Sequence, residues 1–301
     1  MIIIPGPASR DLGGRVASEM GVEAHPIVHR VFPDGESYIR LTAPVEGETV
    51  AIVQTTAPDP DRKLMNLFQM AHTARDLGAE RVICITPYLA YSRQDERFLE
   101  GEALSLDVVV GLLEASGVDD LVVVDSHNES SLRRIKAGHD VEVHNLSAIP
   151  LLAENLRRNG FEGAYSLSPD KGAIHLAEAA AKILGGEAGF FEKIRDRTTG
   201  EIEMKVVDLD IEGQKAVVFD DIISSGGTMA RAVEGLRRHG ASRVAAACTH
   251  ALFMEGAEER IASAGAEPIA ITDSVNSDIE AVMVSIAPLI AGKLRELTSA
   301  N

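Results

Sequence analysis

Short apolar runs alternate with longer stretches of helical spacing along almost the whole chain. Residues 50–54, 82–85, 121–124, 217–219, 244–248 and 269–271 are nearly continuous apolar runs, the pattern of parallel strands covered on both faces. Between and beside them, residues 64–77, 104–116, 174–184 and 229–239 carry apolar positions three and four apart, as one face of a helix requires. Strand followed by helix, repeated, predicts an α/β fold with mainly parallel sheet flanked by helices.

The pattern also repeats itself. Asp76-Leu77-Gly78-Ala79-Glu80-Arg81-Val82 and Arg238-His239-Gly240-Ala241-Ser242-Arg243-Val244 each read as helix end, Gly-Ala turn and new strand. Residues 117–128 (GVDDLVVVDSHN) parallel 265–276 (GAEPIAITDSVN), and 47–55 parallel 213–221. Any helix-turn-strand unit could give one such match. Three in the same order predict two copies of one α/β domain, 1–146 and 147–301, with the break near Asn145 and Pro150.

Composition changes this picture little. At 301 residues, 45% hydrophobic and 25% charged, the chain is long enough for two domains with their own cores. Its two cysteines, Cys84 and Cys248, sit apart in apolar runs, which fits a reducing cytoplasm better than a disulfide scaffold. The amino terminus lacks the basic and long apolar regions of a signal peptide. The apolar run 281–292 spans about a dozen residues and contains Pro288, short of the ~20 that cross a bilayer, so no membrane segment is expected. The formal charge of −17 argues against partners held by a basic surface, nucleic acid and anionic membranes among them. It is also an awkward balance for a protein that handles phosphates.

The most chemically specific string is Asp220 to Thr228 (DDIISSGGT), placed between a buried strand and a helix. Ser224, Ser225, Gly226, Gly227 and Thr228 supply small hydroxyl and glycine positions from which backbone N–H groups can converge on an anion at a helix N-terminus. Asp220 and Asp221 would repel that anion, so they must face another part of the ligand, and vicinal sugar hydroxyls are natural donors to them. Phosphate together with a diol describes a ribose 5-phosphate moiety. No lysine follows the glycines as a Walker loop needs, and no GxGxxG occurs.

This string resembles the phosphoribosyl-diphosphate loop shared by type I phosphoribosyltransferases and ribose-phosphate diphosphokinases. The resemblance implies two tandem type I phosphoribosyltransferase-like domains, with Asp220 and Asp221 on the ribose hydroxyls and Ser224 to Thr228 on the 5-phosphate. Four more segments resemble the diphosphokinase family in particular. Phe32-Pro33-Asp34-Gly35-Glu36, which by itself reads as a tight turn, resembles the family's F-x-D-G-E. Pro87 to Asp95 (PYLAYSRQD) resembles its P-Y-x-x-Y-x-R-Q-D. Asp125-Ser126-His127 follows a strand end and resembles D-x-H, and Ser166 to Gly172 (SLSPDKG) supplies Asp170. The segment 190–204 reads as a charged hairpin with a Thr-Thr-Gly turn and resembles the family's catalytic flexible loop.

Carried onto these positions, the resemblance implies ATP contacts from Asp34, Gly35, Glu36, Arg93 and Gln94, the first three serving a neighbouring subunit of a homo-oligomer. It implies Mg²⁺ at His127 and Asp170 with Asp125 auxiliary, and Lys193 and Arg195 as the catalytic cations, Arg195 also toward ribose 5-phosphate. The activity implied is diphosphoryl transfer from ATP to ribose 5-phosphate. The alternatives are a type I phosphoribosyltransferase, which would leave Phe32 to Glu36 and Arg93-Gln94 unexplained, and a non-catalytic regulatory homologue, which has no need of Lys193, Arg195, His127 and Asp170 together. Acidic residues after Asp95 (Glu96, Glu100, Glu102) place the sequence nearer the family's archaeal branch.

Overall fold

The computed structural model describes residues 1–195, 202–206, 210–277 and 279–299. They form two compact units: one of Met1–Leu146 with Ser274–Asn276 and Ser285–Asn301, the other of Ser147–Asp273 with Ser277–Val284.

The first unit runs β1 (Ile2–Pro5), α1 (Arg10–Met20), β2 (Val28–Val31), β3 (Ser37–Arg40), β4 (Thr49–Val53), α2 (Pro60–Asp76), β5 (Arg81–Ile85), α3 (Ser105–Ala115), β6 (Asp120–Val124), α4 (Glu129–Lys136) and β7 (Glu142–Leu146). Strands β1-β4-β5-β6-β7 make one sheet, every pairing parallel, while β2 and β3 form a separate antiparallel hairpin. β4, β5 and β6 are buried almost end to end, which is why their sequences are apolar runs and not alternations. Leu64, Leu67, Met70, Ala71 and Ala74 of α2 and Leu106, Val109, Val110 and Leu113 of α3 join Ile52, Cys84, Leu121 and Val123 in one core.

The second unit runs α5 (Ile149–Leu156), β8 (Tyr165–Ser168), α6 (Ile174–Leu184), β9 (Ala188–Arg195), β10 (Ile202–Val206), β11 (Lys215–Ile223), α7 (Gly227–Arg238), β12 (Arg243–Ala251), α8 (Ala257–Ser263), β13 (Ile269–Thr272) and β14 (Val282–Val284). Its sheet has the order β10-β9-β8-β11-β12-β13-β14, parallel except for the antiparallel pairing of β9 with β10. Alternate residues of the central strands serve opposite cores. Val218, Ala246 and Cys248 pack with Met229, Val233 and Leu236 of α7, whereas Val217, Phe219, Ala245 and Ala247 pack with Leu152 of α5 and Leu176 of α6. Both cysteines are free and buried in these cores, and burial pushes both thiols up from their ordinary range.

The closing helix α9 (Ala287–Ser299) corrects the boundary drawn from sequence, which kept 147–301 together. It belongs to the first unit, with Ile290, Ala291 and Leu294 buried and its face against α1. Two arginines hold its far end. Arg81 Nη1 donates to Leu297 O (2.8 Å), and Arg295 donates to Glu19 O. Arg81 also forks onto Asp120 (2.7 and 3.0 Å), whose other contact is His144 Nε2 at 3.0 Å. Burial raises the Asp120 carboxyl, but bonds from His144 and Arg81 outweigh it and leave the group below its ordinary value.

The repeat is physical as well as sequential. In the first unit Gly78 takes φ +90° beside Glu46, its carbonyl accepts from Gly47 N (2.8 Å), and Arg75 donates to the carbonyls of Ala79, Glu80 and Gly117. In the second, Gly240 takes φ +83° beside Glu212, its carbonyl accepts from Gly213 N (2.9 Å), and Arg237 donates to Ala241 and Ser242. One arginine per unit thus ties a helix end to the turn that follows it.

Candidate active site

The second unit's site starts from the carboxyl end of β11. Asp220 and Asp221 are half-buried near that end, followed in the strand by Ile222 and Ile223, and each curls onto the chain: Asp220 Oδ1 accepts from Asp221 N (3.0 Å) and Asp221 Oδ1 from Ile222 N (2.8 Å). Asp170 stands beyond the end of β8, the strand paired with β11, exposed and capping a short helical turn through Gly172 N (3.0 Å). Burial, then the charge and hydrogen bond of Asp221, then the charge of Asp170, push the Asp220 carboxyl well above its usual range. Three carboxyl groups on neighbouring strand ends repel one another unless a cation or hydroxyl donors stand among them.

The loop that follows is gripped from one side. Leu252 N donates to Ile223 O (3.0 Å), Met254 N to Ser224 O (2.9 Å), and the Arg260 guanidinium to Ser225 O. Gly226 takes φ +73° as the residue before α7, and a Cβ there would stand 2.9 Å from Ala257 O. Gly227 has room, its nearest neighbours being Ser225 Oγ and Arg231 Nη2 at 3.8 and 3.9 Å. No side chain caps α7 and no acid sits in its first turn, so the helix end offers donors and a positive dipole to an anion. Residues 224–228, expected from the sequence to face a phosphate, thus lead into an uncapped helix end, with Asp220 and Asp221 just before them in β11.

Lys193 and Arg195 lie in β9, their backbones paired with Met204 and Ile202 of β10. Their side chains, and residues 196–201 of the expected catalytic loop, lie outside the described residues.

In the first unit, Asp34, Gly35 and Glu36 form the exposed tip between β2 and β3. Gly35 at φ +94° closes the turn onto Phe32 O (2.9 Å), and Asp34 Oδ1 accepts from Glu36 N at 3.2 Å. Arg93 and Gln94 follow β5 and are exposed; Gln94 Oε1 accepts from Ser105 Oγ (2.6 Å) and Gln94 O from Leu106 N (3.3 Å). Asp95, the last residue of that motif, links it to a second segment. Its carboxylate accepts from Asn128 Nδ2 (2.9 Å) and Ser131 Oγ (2.6 Å), tying the Arg93-Gln94 segment to the one that carries His127. His127 is exposed past the end of β6. Asp125 is buried at φ +37° with its N–H on Leu146 O (2.7 Å), and its repeat counterpart Asp273 is likewise buried with its N–H on Val284 O (3.3 Å). The position thus recurs where no histidine follows, since Val275 stands in place of His127. Among the described residues, no three His, Cys, Asp or Glu side chains gather as a metal cage.

A parallel α/β sheet whose strand end carries paired acids, and whose next helix opens with a glycine-bearing anion loop, defines a phosphoribosyl transferase-type protein. Residues 1–117 match the family model described as the N-terminal domain of ribose phosphate pyrophosphokinase, and 144–269 the phosphoribosyl transferase domain. The chain is 41% identical over 295 residues to the ribose-phosphate pyrophosphokinase of Methanothermobacter thermautotrophicus, covering 98% of this chain and 100% of that one. It is 36% identical over 296 residues to that of Sulfurisphaera tokodaii, with the same coverage. The phosphoribosylpyrophosphate synthetase of Mycobacterium smegmatis superposes with a TM-score of 0.89 at 30% identity, over 100% of this chain and 99% of that one. The chain belongs to the ribose-phosphate pyrophosphokinase family and is an enzyme of that class.

Proposed function

We propose that this enzyme transfers the β,γ-diphosphoryl group of Mg·ATP to the 1-hydroxyl of ribose 5-phosphate, giving 5-phospho-α-D-ribose 1-diphosphate and AMP. The observation that carries the ribose 5-phosphate half is the loop at 224–228, its carbonyls gripped from behind and its helix uncapped. Asp220 and Asp221 take the ribose hydroxyls, while the amides and hydroxyls of Ser224, Ser225, Gly226, Gly227 and Thr228 take the phosphate. Arg93 and Gln94 bind ATP, where a guanidinium can stack on a base or fork onto phosphate and an amide can read a base edge. The exposed hairpin tip of Asp34, Gly35 and Glu36 supports their service to a neighbouring subunit of a homo-oligomer.

His127 and Asp170 are the residues that would hold Mg²⁺, with Asp125 auxiliary. The lack of a three-residue cage among the described residues is compatible with an ion that keeps waters and substrate oxygens. The carboxyl of Asp170, with Asp220 and Asp221, is the hard oxygen chemistry such an ion takes. When bound, the ion supplies positive charge to the diphosphoryl oxygens. Displacement at phosphorus asks little covalent help of the protein, so Lys193 and Arg195 act by alignment and charge neutralisation. No helix among the described residues is long and apolar enough to cross a membrane, and the proposed setting is the cytoplasm.

The test is incubation with ATP, Mg²⁺ and ribose 5-phosphate. AMP release that requires all three is expected. Loss of phosphoribosyl diphosphate only with a nucleobase, and no AMP, would replace the proposal with a phosphoribosyltransferase; neither reaction would leave a binding homologue.

A further inference from the structure

The grip on the phosphate loop comes from one segment. Three successive carbonyls, those of Ile223, Ser224 and Ser225, are taken by Leu252 N, Met254 N and the Arg260 guanidinium, all within the stretch that leads into and through α8. In a trans peptide the C=O and the following N–H point in opposite directions. Holding Ile223 O toward Leu252 therefore turns Ser224 N–H away from that stretch, and holding Ser224 O toward Met254 turns Ser225 N–H away. The third peptide differs from the first two. Its carbonyl is held by a side chain, so the direction of Gly226 N–H depends on one residue. Gly226 itself lies close to the same stretch, where a Cβ would stand 2.9 Å from Ala257 O.

We infer that Arg260 is a positioning residue for the sugar-phosphate subsite: it fixes the Ser225–Gly226 peptide so that Gly226 N–H joins its neighbours in facing the 5-phosphate. This rests on the reading of the loop as the ribose 5-phosphate site. Arg260 need not touch the ligand to act in this way. A guanidinium suits the task because it remains charged and presents several donors in a fixed plane, so its bond to a carbonyl is of the stronger, charge-assisted kind.

The variant is Arg260→Met, which keeps the apolar stem and removes the donors; Glu259→Gln on the same helix is the control. Calorimetry measures ribose 5-phosphate affinity and steady-state assays measure KM for ATP, with melting as the fold check. Arg260→Met should weaken ribose 5-phosphate binding by about 10- to 100-fold, the scale of one hydrogen bond to a charged group. It should leave KM for ATP close to wild type and lower the melting temperature by no more than the few degrees that one lost hydrogen bond costs, and added guanidinium ion below denaturing concentration should restore part of the lost affinity. Unchanged affinity in Arg260→Met overturns the inference. Equal losses for both substrates without guanidinium rescue overturn it too, since that is the signature of general loosening. Should Arg260→Met not fold, Arg260→Lys serves, and full wild-type affinity with no guanidinium response in a chain whose Ser225–Gly226 amides lose hydrogen-exchange protection would overturn it. If wild type itself binds no ribose 5-phosphate, the reading of the loop fails and this inference falls with it.

Discussion

Replacing Gly226 by alanine tests the loop geometry with a single methyl group. Gly226 holds φ +73° and ψ −4°, and its Cβ would lie 2.9 Å from Ala257 O and 3.3 Å from both Ala257 Cα and Ile261 Cδ1. The left-handed backbone costs a non-glycine residue about 1–2 kcal/mol. Forcing a methyl against backbone that must shift adds about 1–3 kcal/mol. Together that is about 2–5 kcal/mol, or roughly 5–15 °C in the melting of a unit this size. Relieving the clash also moves the Ser225–Gly226 peptide, so ribose 5-phosphate affinity should fall with stability. Gly227→Ala is the matched contrast. Its methyl meets only Ser225 Oγ and Arg231 Nη2 near 3.8–3.9 Å, so melting should stay within about 1 kcal/mol of wild type while the methyl crowds the anion's approach. Differential scanning calorimetry and ribose 5-phosphate titration read both. Equal melting temperatures for Gly226→Ala and Gly227→Ala would refute the reasoning.

Three further outcomes are expected. Lys193→Ala should lower kcat by at least ~10²-fold, the scale of one preorganised electrostatic group, and near-normal turnover would remove Lys193 from the mechanism. Arg75→Ala should destabilise by about 2–3 kcal/mol, since three carbonyls and the Asp119 carboxylate lose a charged donor, and Arg237→Ala by about 1 kcal/mol, since fewer bonds are lost; denaturant melts decide, and the reverse order would count against the account. His139 Nδ1 meets Glu114 Oε2 at 2.7 Å and Nε2 meets Asp107 Oδ1 at 3.3 Å; the bond to Glu114, more than that to Asp107, raises the imidazole above 6.5 against a smaller opposing effect of burial. A raised folded value means the clasp contributes fully below the unfolded 6.5 and is lost as pH rises through the folded value. Stability should therefore decline above about pH 6.5 in wild type and less so in His139→Asn, and identical slopes would contradict this.

Much of the fold is legible in the chain because central parallel strands must be apolar throughout. β4, β5, β6, β11, β12 and β13 each contain a run read from the sequence, to within a residue at the end of β4, and α2, α3, α6 and α7 fall on the helical stretches. The edges are less legible for the same reason. β7 (EVHNL) is only partly buried, so its sequence carries no run, and β1 at the terminus lacks the context that would mark it as a strand. The apolar stretch around Pro288 is too short to cross a bilayer, and by itself it does not say which core it joins. Its Ile290 and Leu294 are the buried face of α9, whose home in the first unit depends on partners hundreds of residues away. Within the site, Asp220 to Thr228 is local chemistry and can be read locally. Arg260 cannot: between Glu258 and Glu259 on one side and Ile261 on the other it reads as a solvated charge, and only the fold brings it to Ser225. The net charge of −17 misleads in the same manner, because a global sum does not register the local donors of an uncapped helix end or nearby Arg231 and Arg260.

The central claim is that a diphosphoryl group moves as one unit to the sugar. ATP labelled at the β-phosphorus, incubated with Mg²⁺ and ribose 5-phosphate, separates the possibilities in one chromatogram. The account predicts label on the sugar product in step with AMP, one for one. Label retained in ADP, or AMP formed without label on the sugar, would contradict it.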